Sequence, residues 1–326
     1  MAAFLRFRAR GASLLLVLAF LAAACGAGAT PVPTTAPTLA PTPTLAPTAT
    51  PAPPFPTTIT DDEGTAVTVA AEPQKIVSLS PAATETLFAI GAGDRVVAKV
   101  EDITPYPPAA DKLPVVATYK GVDVEKIVAL KADLVIAGGL GFTPPDAVTQ
   151  LRGLGIPVIV LYATTIKQAL AGIVAVGTAA GELAAATELT TSMQAEFDRL
   201  GALTAGLPKP KVFYEIDATT DIFTVPADSL YSELLALAGS DPITTDSSYV
   251  ISLEKVVAAD PEIILLGDGG YTKPADVKAR PGWSGIKAVV DGKIYPVEDT
   301  LITRPGPRLV DGLKALIAAL HPEVAL

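Results

Sequence analysis

The pattern of apolar and polar positions along the chain predicts alternating helices and buried strands. Unbroken aliphatic runs at residues 134–137 and 263–266 are typical of strands that are buried on both faces. Each run follows a short amphipathic segment of helical period. Strands that alternate with helices in this way indicate parallel sheets and an α/β fold.

A second pattern is a duplication inside the chain. The segment at residues 122–138 returns in similar form at residues 251–267, at a constant offset of 129 positions. In both copies the sequence predicts an N-cap, Asp123 or Ser252, followed by Glu125 or Glu254 in the first helical turn, where the helix dipole favours negative charge. A helix that leads into a buried strand, present twice, predicts two α/β lobes of similar build.

From residue 165 to about residue 205, between the two copies, the sequence has no strand signal. Gly177 and Gly181 are predicted to divide this region into two helices, and the second, at residues 182–204, has one apolar stripe. We expect this helix to be a rod that joins the lobes. A hairpin is predicted at residues 59–69, a loop at 104–118 and a helix at 283–289. The predicted domains are a signal peptide at 1–25, a tether at 26–57, an N-terminal lobe at 58–165, a helical region at 166–206 and a C-terminal lobe at 207–326.

The N-terminus has the features of a secretion signal. Three arginines precede an apolar run at residues 14–23, and the single cysteine of the chain, Cys25, follows three alanines. This arrangement resembles a bacterial lipobox, so Cys25 is the predicted lipid anchor; the alternative is an ordinary signal peptide with a chance cysteine. Residues 26–57 are rich in Thr and Pro, a composition that favours polyproline II and builds no core.

Composition excludes several classes of function. The net charge of −10 argues against binding nucleic acid, whose phosphates require basic patches. One His and one Cys cannot supply a zinc cluster, a disulfide framework or a Cys/His nucleophile pair. No dinucleotide, GxSxG or P-loop motif is present. We therefore expect a binding protein rather than an enzyme, with no resident metal or cofactor.

Several separated motifs together resemble one family. The lipobox, the Thr/Pro tether, the segments KIVSLSPAATETLFAIGAGDRVVA and VDVEKIVALKADLVIA, and the late RPGPRLVDGLKAL are similar to the substrate-binding proteins of iron-siderophore, haem and cobalamin ABC importers. The resemblance implies two Rossmann-like lobes with mainly parallel sheets, joined by one long backbone helix, with the ligand in a cleft between them.

The resemblance also implies roles for individual residues. Glu125 and Glu254 correspond to a pair of glutamates that dock on the two permease subunits. The candidate ligand contacts are Ser80, Tyr106, Tyr119, Phe223, Tyr249 and Arg304. Flat rings suit the faces of large chelates, and an arginine suits a carboxylate or phosphate. Gly138 and Gly139 stand where some corrinoid binders carry an aromatic residue, which predicts a wider cleft.

The resulting hypothesis is a monomeric, lipid-anchored protein outside the cytoplasmic membrane. It captures a corrinoid or a ferric siderophore and delivers it to an ABC permease dimer with its ATPase. Haem is the alternative ligand. A surface-tethered enzyme or adhesion module without a transporter is the alternative class.

Overall fold

The computed structural model describes residues 55–139, 142–267 and 270–326. The chain begins there with an N-terminal lobe of short strands and helices, with 3-10 turns at Gly93–Arg95 and Pro108–Lys112. Its elements are β1 (Thr57–Thr60), β2 (Ala66–Val69), β3 (Ile76–Leu79), α1 (Pro81–Ala89), β4 (Val96–Val100), β5 (Val115–Thr118), β6 (Gly121–Val122), α2 (Val124–Ala129), β7 (Leu134–Gly138), α3 (Pro145–Gly153) and β8 (Val158–Leu161).

The first large sheet has the strand order β6-β5-β4-β3-β7-β8. All neighbours are parallel except β6, which runs antiparallel to β5. Every residue of β3 and β7 is buried, as the unbroken aliphatic runs predict. The strand β5 lies inside the segment predicted as a loop, so that prediction is wrong for the last residues of the segment. The pairing of β5 with β4 depends on long-range hydrogen bonds, which a proline-rich sequence does not reveal.

The predicted hairpin is confirmed as β1 and β2, which pair antiparallel. Its turn lies against the last strand of the sheet: Asp62 donates its N–H to the Val160 carbonyl at 3.0 Å, and Val160 N–H donates to Asp61 Oδ2 at 3.2 Å. Arg152 completes this contact with an ion pair to Asp61 at 2.6 Å. The hairpin turn therefore supplies hydrogen-bond partners to the edge strand β8, which would otherwise be open.

Two helices follow, α4 (Ile166–Ala180) and α5 (Leu183–Thr204). Thr165 accepts the Gln168 N–H at the start of α4, and Gly181, with φ of 80°, ends it. The prediction that Gly177 also breaks the helix is wrong. Gly177 lies inside α4, where an added Cβ would collide with the Ala186 side chain. Glycine there allows α4 and α5 to pack closely, and α5 is about 33 Å long at 1.5 Å per residue.

The C-terminal lobe repeats the alternation of strands and helices. Its elements are β9 (Lys211–Asp217), β10 (Ile222–Thr224), α6 (Leu230–Leu237), β11 (Asp241–Pro242), β12 (Val250–Ile251), α7 (Leu253–Ala259), β13 (Ile263–Leu266), α8 (Pro274–Ala279), α9 (Lys287–Asp291), β14 (Ile294–Pro296), α10 (Thr300–Thr303) and α11 (Leu309–Leu320). The sheet order is β12-β10-β9-β13-β14, with β11 beside the start of β9. Strands β9, β13 and β14 are parallel, whereas β10 and β12 run antiparallel to their neighbours.

The duplicated segment forms the same unit in both sheets. The helix α2 leads into β7 beside β3, and α7 leads into β13 beside β9. Asp123 accepts the Lys126 N–H at 2.9 Å, and Ser252 accepts the Lys255 N–H at 3.3 Å. The two non-glycine residues with positive φ among the described residues, Lys131 and Asp260, stand at equivalent positions after the helices. The predicted duplication therefore extends to the backbone conformation of the turn.

Alternate residues of the central strands face two different cores. In β3 and β7, Ile76 and Leu134 belong to an inner core that also contains Tyr214 and Leu265 of the second lobe. Val77 faces an outer core that belongs to its own lobe, and the second lobe has an outer core of its own. The inner core runs through residues of α1, α4, α5, α6 and α11, so the lobes share apolar packing in addition to the chain connection.

One predicted helix is shifted. The helix expected at residues 283–289 begins only at Lys287. Trp283 precedes it and is buried, with its ring 5.9 Å from Phe213 and 4.9 Å from the Arg280 guanidinium. Packing of this tryptophan into the outer core fixes the chain in a turn, which the local pattern could not indicate.

Candidate functional site

A cleft of about 1400 Å³ lies between the lobes. The chain that follows the central strands contributes to it from both sheets: Gly138 and Phe142 at the end of β7, and Gly267 and Tyr271 after β13. Ligands of α/β proteins bind beyond the carboxyl ends of parallel strands. Two sheets that face each other in this way make one shared binding site.

The helix α4 forms the floor of the cleft. Gln168, Ala169, Gly172, Ile173 and Val176 line it at the spacing of one helical face. The predicted rod α5 contributes no described lining residue and packs behind α4. Two packed helices of this length resist bending, so the floor is a rigid surface.

Three of the residues predicted to contact ligand line this cleft: Ser80, Tyr249 and Arg304. Ser80 is the N-cap of α1, and its Oγ accepts the Ala83 N–H at 3.2 Å. Tyr249, with 53% of its surface exposed, stands just before β12. Their roles as ligand contacts stay predictions.

The guanidinium of Arg304 is already surrounded by acceptors. It lies 2.8 Å from Glu85 Oε1, makes a two-pronged pair with Asp102 at 2.8 and 3.0 Å, and donates to Thr104 Oγ1 at 2.9 Å. Arg308 makes a second two-pronged pair with Glu85, at 2.7 and 2.9 Å. Because Glu85 and Asp102 belong to the first lobe, these contacts join the lobes and leave Arg304 little capacity for a ligand anion.

The other three predicted contacts lie elsewhere among the described residues. Tyr106 packs its ring 4.3 Å from the Arg308 guanidinium, and Tyr119 is 89% exposed with the Lys120 amine over its ring. Phe223 pairs with Val250 in the sheet and is half-buried. None of the three is among the residues that line the cleft. The resemblance to the family supplied their positions along the chain, but it could not give the directions of the side chains.

Other aromatic residues fill the places that these three were expected to take. The cleft is lined by Phe142, Tyr162, Tyr231 and Tyr271, together with Tyr249. Tyr162 follows β8 directly, and Tyr271 comes a few positions after the end of β13, so the rule of strand carboxyl ends would have identified both. Burial raises the pKa of Tyr231 to about 12, and Tyr249 and Asp299 add to the shift, so its hydroxyl stays a neutral hydrogen-bonding group at ordinary pH.

The glycines at the end of β7 shape this aromatic lining. A Cβ on Gly139 would collide with the Tyr162 ring, and one on Gly138 would come within 2.9 Å of the Phe142 side chain. At the end of β13, a Cβ on Gly267 would collide with Tyr214. The glycines therefore let neighbouring rings lie close to the backbone, and the predicted widening of the cleft stays a prediction.

Glu125 and Glu254 lie outside the cleft, fully accessible, in the first turns of α2 and α7. The pKa of Glu254 is lowered, first by its own backbone N–H and then by the Ser252 hydroxyl. A helix that leads into a parallel strand runs opposite to that strand, so both first turns lie at the cleft end of their sheets. Their role in docking stays a prediction.

Two further predictions concern the residues before position 55 and the metal inventory. Cys25 and the tether lie outside the described residues. Within the described ranges, no cluster of three His, Cys, Asp or Glu side chains could hold a metal ion, and no helix has the length and hydropathy needed to cross a membrane.

The single histidine of the chain, His321, is buried, with Nε2 3.1 Å from the Gly239 carbonyl oxygen, which agrees with a structural role.

Comparison with known proteins identifies the class. The model of the periplasmic binding protein family matches residues 76–300, and the chain belongs to this family. The two-lobed α/β fold that the sequence predicts is therefore confirmed by both the structure and the family.

Individual relatives support the same class. The chain is 33% identical over 276 residues to an uncharacterized ABC transporter substrate-binding lipoprotein, YvrC, of Bacillus subtilis, covering 82% of this chain and 87% of the relative. It is 33% identical to the vitamin B12-binding protein of Pectobacterium carotovorum, covering 74% and 86%. A solved periplasmic haem-binding protein from Pseudomonas aeruginosa is 27% identical with a TM-score of 0.69, covering 78% and 94%. These relatives are named as binding proteins, in line with the prediction of binding rather than catalysis.

Proposed function

We propose that this protein captures a metal chelate, a corrinoid or a ferric siderophore, in the cleft between its lobes and delivers it to an ABC permease. The observation that carries the proposal is the cleft itself, about 1400 Å³ in volume and lined by five aromatic rings. Sites for small ligands usually occupy about 300–1000 Å³, so this cleft suits a bulky ligand with flat, apolar faces. The relative named for vitamin B12 supports a corrinoid, and the solved haem-binding protein keeps haem as the alternative ligand.

Delivery rests on the exposed glutamates of the duplicated units. Glu125 and Glu254 hold equivalent positions on two lobes, so they suit a partner with two similar subunits, such as a permease dimer with its ATPase. Exposed ion pairs contribute only about 0–1 kcal/mol each. Such contacts would orient the complex on the permease more than strengthen it.

The location follows from the same class. Cys25, as the first residue after signal cleavage, would carry the lipid that anchors the protein to the outer face of the cytoplasmic membrane. Residues 26–57 would then tether a monomeric binding domain formed by the lobes at 58–165 and 207–326 and the helical region at 166–206. Globomycin, an inhibitor of lipoprotein signal peptidase, should cause accumulation of the longer precursor; normal processing in its presence would contradict lipidation at Cys25.

The proposal is tested by equilibrium dialysis of the purified protein against cyanocobalamin, ferric siderophores and haem. We expect saturable binding of one class of chelate at about one ligand per chain. Binding of haem alone would favour the alternative ligand, and no binding of any chelate would favour a tethered enzyme or adhesion module.

Uptake assays test delivery separately. The double variant Glu125→Ala/Glu254→Ala should lose uptake of the bound chelate in cells while its affinity for the chelate stays unchanged. The matched variant Glu63→Ala/Glu188→Ala, which removes two accessible glutamates elsewhere, should transport normally. A loss of ligand affinity in the first variant would contradict the docking role.

A further inference from the structure

The charged side chains around the cleft are mostly acidic. Among the described lining residues, carboxylates come from both lobes: Asp62 from the hairpin turn, and Asp217, Glu298 and Asp299 from the second lobe. The cationic side chain in the described lining is Arg304, and its guanidinium already contacts Glu85 and Asp102. A ligand anion would therefore meet carboxylates and find no available cation among these residues.

The hydrogen-bond partners of Asp62, Asp217 and Glu298 are neutral, although the charge of Glu298 also raises the pKa of Arg308. Asp62 accepts the Tyr162 backbone N–H at 2.7 Å, Asp217 accepts the N–H and hydroxyl of Thr219 at 3.1 and 2.8 Å, and Glu298 accepts the Thr300 hydroxyl at 2.6 Å. Neutral donors orient a carboxylate without cancelling its charge. Each carboxylate also keeps acceptor capacity, since an ionised carboxyl group has about four lone-pair sites.

The remaining polar groups of the lining add no cation. They include the hydroxyls of Ser80, Thr104, Tyr162, Tyr231, Tyr249 and Tyr271 and the amide of Gln168. The pKa of Tyr231 is raised to about 12, so its hydroxyl remains available as a neutral donor or acceptor. Hydroxyls serve ligands of any charge, whereas the carboxylates favour cations and hydrogen-bond donors.

We propose that the cleft selects chelates of zero or positive net charge whose periphery carries hydrogen-bond donors, and that it discriminates against polyanionic chelates. The inference rests on the proposed function and restricts the proposed ligands by their net charge. A corrin ring bears primary carboxamides, whose N–H groups can donate to Asp217 and Glu298. Haem bears two propionates, and a ferric tris-catecholate bears three negative charges; both would face repulsion that is screened only beyond about 8 Å at physiological ionic strength.

The test is a binding panel of metal chelates that differ in net charge. The probes are aquacyanocobinamide and a ferric trihydroxamate with a free amine as cations, cyanocobalamin as the neutral probe, and haem and a ferric tris-catecholate as anions. We expect the anions to bind at least about tenfold more weakly than the best neutral or cationic probe. Raising the salt concentration should reduce this difference, because screening weakens repulsion and attraction alike.

Charge reversal locates the effect in the cleft. Glu298→Lys should tighten haem binding about threefold or more and weaken cobinamide binding by a similar factor. The matched variant Glu188→Lys changes the net charge equally on the exposed face of α5, which does not line the cleft, and should leave both affinities unchanged. Equal effects of the two variants would overturn the inference.

The outcomes of the panel separate the inference from the function on which it rests. If an anionic chelate binds as tightly as the neutral and cationic ones, the charge selection is wrong while chelate capture stands. If no probe binds, both are wrong. If the cationic trihydroxamate alone binds, the charge selection is supported and the corrinoid is excluded.

Discussion

The two lobes share one scaffold but present different surfaces to the cleft. Their duplicated helix–strand units agree in the N-cap, in the glutamate of the first turn and in the positive-φ residue before the strand, Lys131 or Asp260. The loops beyond the strands do not agree. The first lobe contributes small and apolar groups such as Ser80, Gly138 and Phe142, whereas three of the four carboxylates in the described lining come from the second lobe.

This difference separates two kinds of constraint on the sequence. Strands β7 and β13 are buried on both faces, so almost any polar substitution there would leave a group without a hydrogen-bond partner. The chain after each strand faces the cleft and solvent, where many side chains are compatible with the fold. The scaffold can therefore stay duplicated while one lobe acquires the groups that set ligand preference.

The largest expected effect concerns the contact between the lobes. Glu85→Ala removes the carboxylate that pairs with Arg304 and Arg308, both of which are mostly buried. Loss of one partner from a buried ionic cluster costs about 3–5 kcal/mol, and chemical denaturation should show a decrease of this size in the free energy of unfolding. Glu63→Ala is the control, because Glu63 is exposed and 3.6 Å from Arg152.

The same variant tests how rigidly the lobes are held. The shared inner core and the ionic cluster, together with the paired helices α4 and α5, lead us to expect only a small opening and closing motion. X-ray scattering should give nearly equal radii of gyration for the free and loaded wild-type protein, and a larger radius for free Glu85→Ala. A large hinge rotation in the wild type would contradict the account.

The next effect tests the equivalence of the scaffolds. Ile136 and Leu265 hold equivalent positions in β7 and β13, and both are fully buried in the inner core. Ile136→Ala and Leu265→Ala should each lower the free energy of unfolding by about 3 kcal/mol. Effects that differ by more than about 2 kcal/mol would show that the two units are not energetically equivalent.

A smaller effect is confined to the second lobe. The pKa of Tyr231 is raised by burial to about 12, from about 10 in an unfolded chain. A raised pKa means that folding favours the neutral phenol. The resulting contribution to the free energy of unfolding is therefore fully present below pH 10 and is lost as the pH rises towards 12. Between these values the wild type should lose about 1–2 kcal/mol more stability than Tyr231→Phe. Equal losses in thermal melts across this pH range would contradict the assigned cause.

The smallest effect concerns single rings at the mouth of the cleft. Tyr271 and Phe142 hold equivalent positions beyond β13 and β7 and are 82% and 63% exposed. Tyr271→Ala should weaken chelate binding about tenfold, because both the ring and its hydroxyl are lost, and Phe142→Ala about threefold, because only a ring is lost. Isothermal titration calorimetry measures both affinities. A larger effect of Phe142→Ala than of Tyr271→Ala would contradict the greater contribution assigned to the second lobe.

Local sequence patterns predicted the scaffold well because they depend on near neighbours. The buried runs of β7 and β13, the caps Asp123 and Ser252, and the helix end at Gly181 are all set by residues within one or two turns. The pairing of Glu85 with Arg308 spans 223 positions, and no local pattern contains it.

The cleft residues show the same limit. Ser80, Tyr249 and Arg304 are candidate contacts because of where they stand in the motifs that resemble the family. Tyr106 and Tyr119 satisfy that criterion equally, yet one packs on Arg308 and the other faces solvent. Loop length and side-chain direction decide such cases, and both depend on the complete fold.

The most direct test of the central claim uses two glycines. Gly172 lies on α4 in the floor of the cleft, Gly153 lies at the end of α3 outside it, and an added Cβ at either position would meet no atom within 4 Å. Isothermal titration with the bound chelate should show that Gly172→Trp weakens binding strongly, because the indole projects from the floor into the space that the ligand would occupy, while Gly153→Trp binds like the wild type. Unchanged affinity in Gly172→Trp, with the fold intact by circular dichroism, would contradict the assignment of this cleft as the ligand site.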